Sequence, residues 1–209
     1  MRNLFLLVLF IAFSEITLTH AQTINDIVDL NLQNHALFTD KIKNVKGSAF
    51  LDGKWSNAII FKKGSEFKFP AKYDVVNQII WIKQDEKEWV LNPTSFDQII
   101  FDYVTLITIN GILFEPLEEG KFTLLIKHEK ELKKASSIND SGYGSSELNT
   151  DQLVDKKIFY IKLGSNLNEI KNKKSLESIS ENSKPILNEL KTNLKKKEDL
   201  IEFVRRQNK

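Results

Sequence analysis

The region from Val45 to about Leu132 constrains the fold most, because it alternates short β-type segments with turn signals. Val, Ile, Phe, Thr and Trp recur in the segments, and the dipeptides Asp52-Gly53 and Asn110-Gly111 favour tight hairpin turns. About ten strands at this short spacing predict an antiparallel sandwich or barrel. Pro70 is expected to end its strand or to mark a sheet edge, because proline lacks the N–H that a central strand donates.

The predicted strands share β-branched or aromatic residues and are bounded by polar or glycine-containing turns. They are Lys46–Leu51, Trp55–Lys62, Glu66–Phe69, Tyr73–Val76, Ile79–Lys83, Trp89–Leu91, Ser95–Phe101, Val104–Ile109, Ile112–Phe114, Lys121–Lys127 and, after a Gly/Ser-rich loop at 135–150, Lys157–Leu163. We favour a mobile role for that loop over a functional one. Residues 22–45 fit either a short helix or an extended strand.

The last part of the chain changes to helical periodicity. Ser175 and Ser183 are predicted helix caps, with Pro185 near the start of the second helix, where proline is tolerated. Glu198 and Asp199 place negative charge where a third helix would begin. We therefore predict an α+β fold, an antiparallel β-sandwich or half-barrel followed by short C-terminal helices. The β-rich domain is expected at 22–170, and the helical segment at 171–209 is expected to pack on it.

The first 21 residues have the pattern of a secretory signal peptide. Arg2 precedes the unbroken apolar run Leu4–Phe13, and Thr19-His20-Ala21 offers a small-x-small cleavage site before Gln22. The run is too short to span a bilayer as a helix. The chain has no cysteine, so it forms no disulfide and has no lipid-carrying Cys at the cleavage site. The prediction is an exported protein, periplasmic or secreted, that is not a lipoprotein and has no transmembrane segment after cleavage.

Charge is distributed unevenly, and it argues against nucleic acid as a partner. Residues 171–209 carry eleven basic and six acidic side chains within a chain of net charge +2. We interpret this excess as a solvated helical surface rather than a site for anionic lipid or polymer. Beyond the signal segment, Arg205 and Arg206 are the only arginines, whereas phosphate and base recognition favour arginine.

No motif for catalysis, metal binding or a cofactor stands out. His20 would leave with the signal peptide, which leaves His35 in an unassigned segment and His128 at an expected strand end, where we predict it to be exposed. With no Cys and no His-x-x-x-His spacing, a zinc site is not predicted. Neither remaining His lies in a motif with a carboxylate and a nucleophile, so a histidine-based triad is not predicted either. We predict no catalytic residue, no metal ligand and no cofactor.

Two weaker possibilities remain open. Paired carboxylates can hydrolyse polymers without histidine, and acids near loops or strand ends are the candidates: Asp97, Asp102, Glu115, Glu118 and Glu119. Aromatic side chains on a sheet can stack on sugars or lipid chains, although they more often fill a core. The candidate ligand-binding residues are Trp55, Phe67, Phe69, Trp81 and Trp89.

Five stretches together resemble a family of uncharacterised exported proteins common in Bacteroidota. They are Gly47–Leu51, Ala71–Trp81, Phe159–Leu163, Ile170–Leu176 and Lys197–Ile201. Lys72 stands where we would expect Arg. The motifs are turns, strands and capped helices, so the resemblance implies compartment and architecture and transfers no functional residue.

The expected function is that of a non-enzymatic envelope or secreted binding module. Its partner would be another protein or, in the sharpest version, an apolar ligand held on a concave aromatic sheet. The alternative is a hydrolase of envelope polymers that uses paired carboxylates.

Overall fold

A computed structural model describes residues 45–135, 150–194 and 196–209. It contains ten strands, one 3-10 helix and three α-helices, which follow the sheet in the chain. The predicted α+β class is confirmed. The strands are β1 (Ser56–Lys62), β2 (Ser65–Asp74), β3 (Ile79–Gln84), β4 (Lys87–Leu91), β5 (Gln98–Phe101), β6 (Thr105–Ile109), β7 (Ile112–Glu118), β8 (Phe122–Lys133), β9 (Gln152–Leu163) and β10 (Asn166–Glu169). The 3-10 helix is Pro93–Ser95, and the α-helices are α1 (Lys173–Glu177), α2 (Ser183–Leu190) and α3 (Lys197–Gln207).

All ten strands belong to one antiparallel sheet in the order β10-β9-β8-β7-β6-β5-β1-β2-β3-β4. The chain first runs outward from β1 to β4, returns to pair β5 with the free side of β1, and then runs outward to β10. The sheet is open, and a contact between distant strands indicates that it is curled: the turn between β2 and β3 reaches β8. The Gln78 Nε2 donates to the His128 backbone carbonyl across 3.0 Å. This corresponds to the half-barrel form of the prediction.

Local turn chemistry explains the hairpins. Asn110 and Gly111, between β6 and β7, have φ of 52° and 75°, the positive values that a two-residue hairpin turn with a right-handed twist requires. The predicted turn is therefore confirmed. Asp85 and Glu86, between β3 and β4, also have positive φ, 49° and 62°.

The apolar residues form two cores on the same face of this sheet. Directly paired residues share a face and neighbours along a strand alternate, so the register carries one face continuously from Ile60 through Ile99 and Leu106 to Ile126 and Leu124. The first core consists of Ala58, Ile60, Phe67, Phe69, Ala71, Tyr73, Val75, Ile80, Ile82, Leu91, Phe96, Ile99, Phe101, Leu106 and Leu113. The second core consists of Phe122, Leu124, Ile161, Leu176, Leu187, Leu200, Phe203 and Val204.

The two cores are covered differently. The curl of β1–β6 encloses the first core with side chains of the sheet itself and its connections. The C-terminal helices cover the second core, with α3 packed on β7 and β8 and against α2. The register of β7 against β8 shifts between Pro116 and Glu118, an irregularity of the kind that bends a strand. The helices thus pack on the second half of the sheet.

Several local predictions need correction. Lys46–Leu51 is not a strand of the sheet, and its backbone makes only isolated bridges, Phe50 with Asp74 and Lys46 with Gln152. β2 continues through Pro70, which pairs with β1, while the pairing with β3 begins at Ala71. Pro70 therefore pairs with no residue of β3, and its missing N–H removes no hydrogen bond between β2 and β3.

The helix caps also differ from those predicted. The N-cap of α1 is Asn172, and Ser175 is its reciprocal partner in a capping box rather than the cap itself. Ser183 is the first residue of α2 and follows the cap residue Asn182. The buried Ser183 hydroxyl instead accepts from Gln207 Nε2 at 3.1 Å, which ties α2 to α3.

No helix in the described part of the chain is long and apolar enough to cross a membrane. The predicted signal peptide at 1–21, His35 and the undecided segment 22–44 lie outside the described residues, as does 136–149 of the Gly/Ser-rich loop.

Candidate functional site: a basic groove beside the second core

A surface groove of about 900 Å³ lies between strands β8 and β9 and the segments that lead into α1 and α3. Phe159 forms its floor on the sheet side, next to the buried Ile126 with which it pairs on the same face of the sheet. Ile170 and Leu194 add apolar surface from the helical side, and both pack partly buried against the second core. The size falls within the range of small-molecule pockets. We call it the basic groove.

Lysines from three parts of the chain surround this apolar floor. Lys157 comes from β9, Lys171 and Lys173 from the start of α1, and Lys196 and Lys197 from the start of α3. Glu198 is the one acid that lines the groove among the residues the structure describes. The groove therefore combines a hydrophobic floor with a strongly positive rim.

Three of these lysines have partners of their own. Lys171 lies 3.8 Å from a Glu169 carboxylate oxygen, Lys173 donates to Asn188 Oδ1 at 3.1 Å, and Lys197 lies 3.4 Å from Glu115 Oε1. Lys157 and Lys196 are exposed, and neither forms an ion pair within the described ranges. These two ammonium groups are the ones most available to a ligand.

An ionic cluster lies at the inner wall, next to the groove. Glu115 of β7 accepts a 2.8 Å hydrogen bond from His128 Nε2 of β8 and also contacts Lys197 at the start of α3. His128 lies directly opposite Lys157 in the β8–β9 register. The cluster joins the two central strands to the helix that covers them.

The environment keeps Glu115 ionised. The hydrogen bond from His128 is the largest influence and lowers the carboxyl pKa below its ordinary value of 4.5. Partial burial acts in the opposite direction, while attraction to His128 and Lys197 lowers the pKa further. Because an ionised carboxylate only accepts hydrogen bonds, His128 must carry the proton on Nε2.

The prediction that His128 is exposed at a strand end is wrong. His128 lies inside β8 and is only 7% exposed. β8 extends beyond the predicted Lys127 to Lys133, and the curl of the sheet brings Gln78 onto the His128 backbone. The carboxylate of Glu115 supplies the polar partner that a buried imidazole needs.

The aromatic candidates from the sequence lie in the other half of the molecule. Phe67 and Phe69 are 5% and 8% exposed within the first core, and Phe69 also borders a smaller surface depression of about 520 Å³ beside Pro70. Trp89 packs partly buried against the same core. None of the five candidates lines the basic groove.

Trp55 and Trp81 instead surround a lysine. The Lys72 ammonium lies 4.2 Å from the Trp55 ring centroid, 4.5 Å from that of Phe50 and 5.7 Å from that of Trp81. The Trp81 indole N–H also donates to Asp74 at 3.4 Å. The structure thus brings these two tryptophans together around a cation of the chain itself.

Three of the five candidate acids of the hydrolase hypothesis have local partners. Glu118 pairs with Arg205 at 3.0 Å, Asp97 accepts from the Lys63 backbone N–H at 2.7 Å, and Glu115 belongs to the ionic cluster. No group of three or more His, Cys, Asp or Glu suited to a metal ion occurs among the described residues.

Sequence reasoning missed the groove because its residues are far apart in the chain. The basic excess of 171–209 was a usable signal, but it was interpreted as solvated surface. The position of that segment next to Lys157 and Phe159 depends on where the helices dock on the sheet. Comparison with family models, curated proteins and solved structures finds no match.

Proposed function

We propose that this protein is an exported, non-enzymatic binding module that holds an apolar chain in the basic groove. The observation that carries the proposal is the half-buried apolar floor formed by Phe159, Ile170 and Leu194 in an open groove of about 900 Å³. Hydrophobic lining with a few polar groups at the edge is typical of small-ligand sites. Export rests on the pattern of residues 1–21.

The groove suits reversible binding because of the elements that form it. Its floor is the regular β8–β9 ladder, while its outer wall comes from the short segments before α1 and α3. A rigid floor fixes the shape of the site, and surface segments can adjust to ligands of different length.

The experiment is native mass spectrometry on the protein released gently from its host. We expect an added mass that disappears on denaturation and extracts into organic solvent. A bare chain, together with no saturable binding of the uncharged fluorophore N-phenyl-1-naphthylamine to the purified protein, would contradict the proposal.

A pair of variants locates the site. Leu194→Gln places a polar group on the floor and should weaken fluorophore binding roughly tenfold, as expected for loss of one large apolar contact. Leu132→Gln is the matched control, because Leu132 is already 44% exposed at the far end of β8. Thermal unfolding of both variants checks that the fold is intact.

The hydrolase alternative requires two acids that face one cleft about 5 to 10 Å apart. In the groove Glu198 is the one acid among the lining residues that the structure describes. Nothing in the geometry favours the hydrolase over the binding module, and a carboxylate-dependent turnover of envelope polymer would be the observation that revives it.

A further inference from the structure

We propose that the ligand of the basic groove is a single-chain amphiphile with an anionic head, whose head is bound by Lys157 and Lys196. This inference rests on the proposed function and specifies the chemistry of its ligand. An apolar chain would lie on Phe159, Ile170 and Leu194, and a carboxylate or phosphate would meet the lysines at the rim.

Charge complementarity is the first argument. Five lysines and one glutamate line the groove within the described ranges, so its rim attracts anions. A purely apolar ligand would gain no binding energy from the lysine charges, and it would place an uncharged end against the ammonium groups. An acidic head satisfies the ammonium groups and keeps the chain oriented toward the floor.

The pairing within the rim is the second argument. Lys171, Lys173 and Lys197 already contact Glu169, Asn188 and Glu115, so their ammonium groups are less available to a ligand. Lys157 and Lys196 come from the strand side and the helix side of the groove and have no acidic partner among the described residues. A head group between the two would therefore contact both walls.

The residue types that line the groove argue against a polymeric anion. Nucleic-acid and polyphosphate sites line up cations along a backbone and favour arginine. Here the floor beneath the lysines is aliphatic and aromatic, and the lining contains no arginine in the described part of the chain. An apolar floor beneath a cationic rim is complementary to a single molecule that has both an apolar chain and an anionic head.

The test measures displacement of N-phenyl-1-naphthylamine from the full mature chain by dodecanoate, dodecyl phosphate, 1-dodecanol and inorganic phosphate, all below their micelle concentrations. We expect both charged amphiphiles to displace the probe at roughly five- to tenfold lower concentration than the alcohol, as two exposed ion pairs allow. Inorganic phosphate should not displace it. Comparison of dodecanoate with dodecyl phosphate distinguishes a carboxylate head from a phosphate head.

Variants assign the effect to the named lysines. The double variant Lys157→Gln/Lys196→Gln should bind 1-dodecanol as the native chain does and lose the preference for charged heads. The control is Lys54→Gln/Lys87→Gln, which removes the same charge from exposed positions in the other half of the molecule and should keep the preference. High salt should shrink the preference in the native chain by screening.

The outcomes separate the two proposals. Equal displacement by alcohol and acid, or a preference that survives in the double variant, overturns the anionic-head inference and leaves the binding module in place. Displacement by inorganic phosphate overturns it in favour of a plain anion site. A bare chain in native mass spectrometry, together with no saturable binding of the probe, overturns the proposed function itself.

Discussion

The two halves of the sheet solve the same burial problem in different ways. β1–β6 curl around the first core, so the strands and their connections cover their own apolar face. β8 and β9 are covered by three short helices instead, and the second core exists only where those helices dock. The basic groove of about 900 Å³ lies at the margin of the helical cover, whereas the first half has a smaller depression of about 520 Å³ beside Pro70.

The comparison also explains where charge is found. The first half uses a lysine to fill an aromatic site of its own, Lys72 between Trp55 and Phe50. In the second half, lysines from β9 and from the starts of α1 and α3 surround an apolar floor, and two of them, Lys157 and Lys196, are available to other molecules. The same residue type is therefore structural in one half and a candidate ligand contact in the other.

The largest expected effect tests whether the two cores unfold together. Phe203→Ala removes a fully buried ring from the second core and should lower the free energy of unfolding by about 3 to 5 kcal/mol. Tryptophan fluorescence reports the first half, which holds all three tryptophans, and far-UV circular dichroism reports the helices that cover the second. Because the ladder through β6, β7 and β8 joins the halves, we expect both signals to shift together.

A matched variant in the first core completes this test. Leu106→Ala, at an equally buried position, should also shift both signals in urea titrations, by about 2 to 5 kcal/mol. If Phe203→Ala moves only the helical signal and Leu106→Ala only the fluorescence, the halves are independent units and the single-sheet view of their stability is wrong.

The next effect concerns the attachment of the helical cover. Asn208 follows α3, and its side-chain amide bonds to the backbone of β8. Its Oδ1 accepts from the Phe122 N–H at 2.8 Å, and its Nδ2 donates to the Phe122 carbonyl at 2.9 Å. Gly120 permits this approach, because a Cβ there would collide with the Asn208 amide. Asn208→Ala should destabilise the protein by about 1 to 3 kcal/mol, since it leaves buried backbone groups unpaired.

Chemical denaturation measures this loss, and Asn166→Ala, at an exposed position of the edge strand β10, is the control. Equal stability of the two variants would mean that water replaces the Asn208 contacts at no cost, contrary to the view that they hold the helical segment in place.

A pH effect of intermediate size tests the ionic cluster. The pKa of Glu115 is lowered in the folded protein, so its ionisation stabilises the fold above its ordinary pKa, and this contribution is lost as the pH falls through and below about 4.5. Glu115→Gln should therefore cost about 1 to 2 kcal/mol at neutral pH and little in acid. Glu119→Gln, an exposed neighbour, should show no such dependence.

Thermal unfolding of both variants across this pH range gives the difference directly. A Glu115→Gln penalty that is the same in acid as at neutral pH would show that shape, rather than the charge of the carboxylate, accounts for the role of this residue.

The smallest effect concerns the aromatic site in the first half. Lys72→Met keeps the length of the side chain but removes the charge over the Trp55 and Phe50 rings, with an expected loss of about 0.5 to 1 kcal/mol and a change in tryptophan emission. Lys68→Met, on the same face of β2 but exposed, should change neither. Unchanged emission in Lys72→Met would remove the distinction between a structural lysine and a ligand-binding one.

The parts of the fold that could be predicted are those set by neighbours in the chain. The Asn110-Gly111 hairpin depends on the φ values that these two residues favour, and β1 and β6 were predicted from alternating β-branched residues. Pro70 shows the limit, because its place within β2 depends on how far β3 extends beside it. Ser175 shows the same limit, because it was predicted as the helix cap whereas Asn172 is the N-cap and Ser175 is its partner in the capping box.

The candidate site could not be predicted for a related reason. His128 reads as a polar residue beside charged neighbours, and its burial follows from Glu115 on the adjacent strand and from the curl that brings Gln78 onto it. Lys157 and Lys196 are separated in the chain by strand β10 and two helices, so their approach depends on the docking of the helical segment.

The sequence by itself determined the alternation of strands and turns, the antiparallel class, the helical tail and the shortage of histidine, cysteine and arginine, because these follow from side-chain type and short-range spacing. Tertiary structure alone decided that both cores share one face, that Phe67 and Phe69 fill a core, and that lysines from β9 and from the helical segment meet over an apolar floor. These features depend on curl, register and docking. Each is a balance of many weak contacts between residues distant in the chain, which no local pattern encodes.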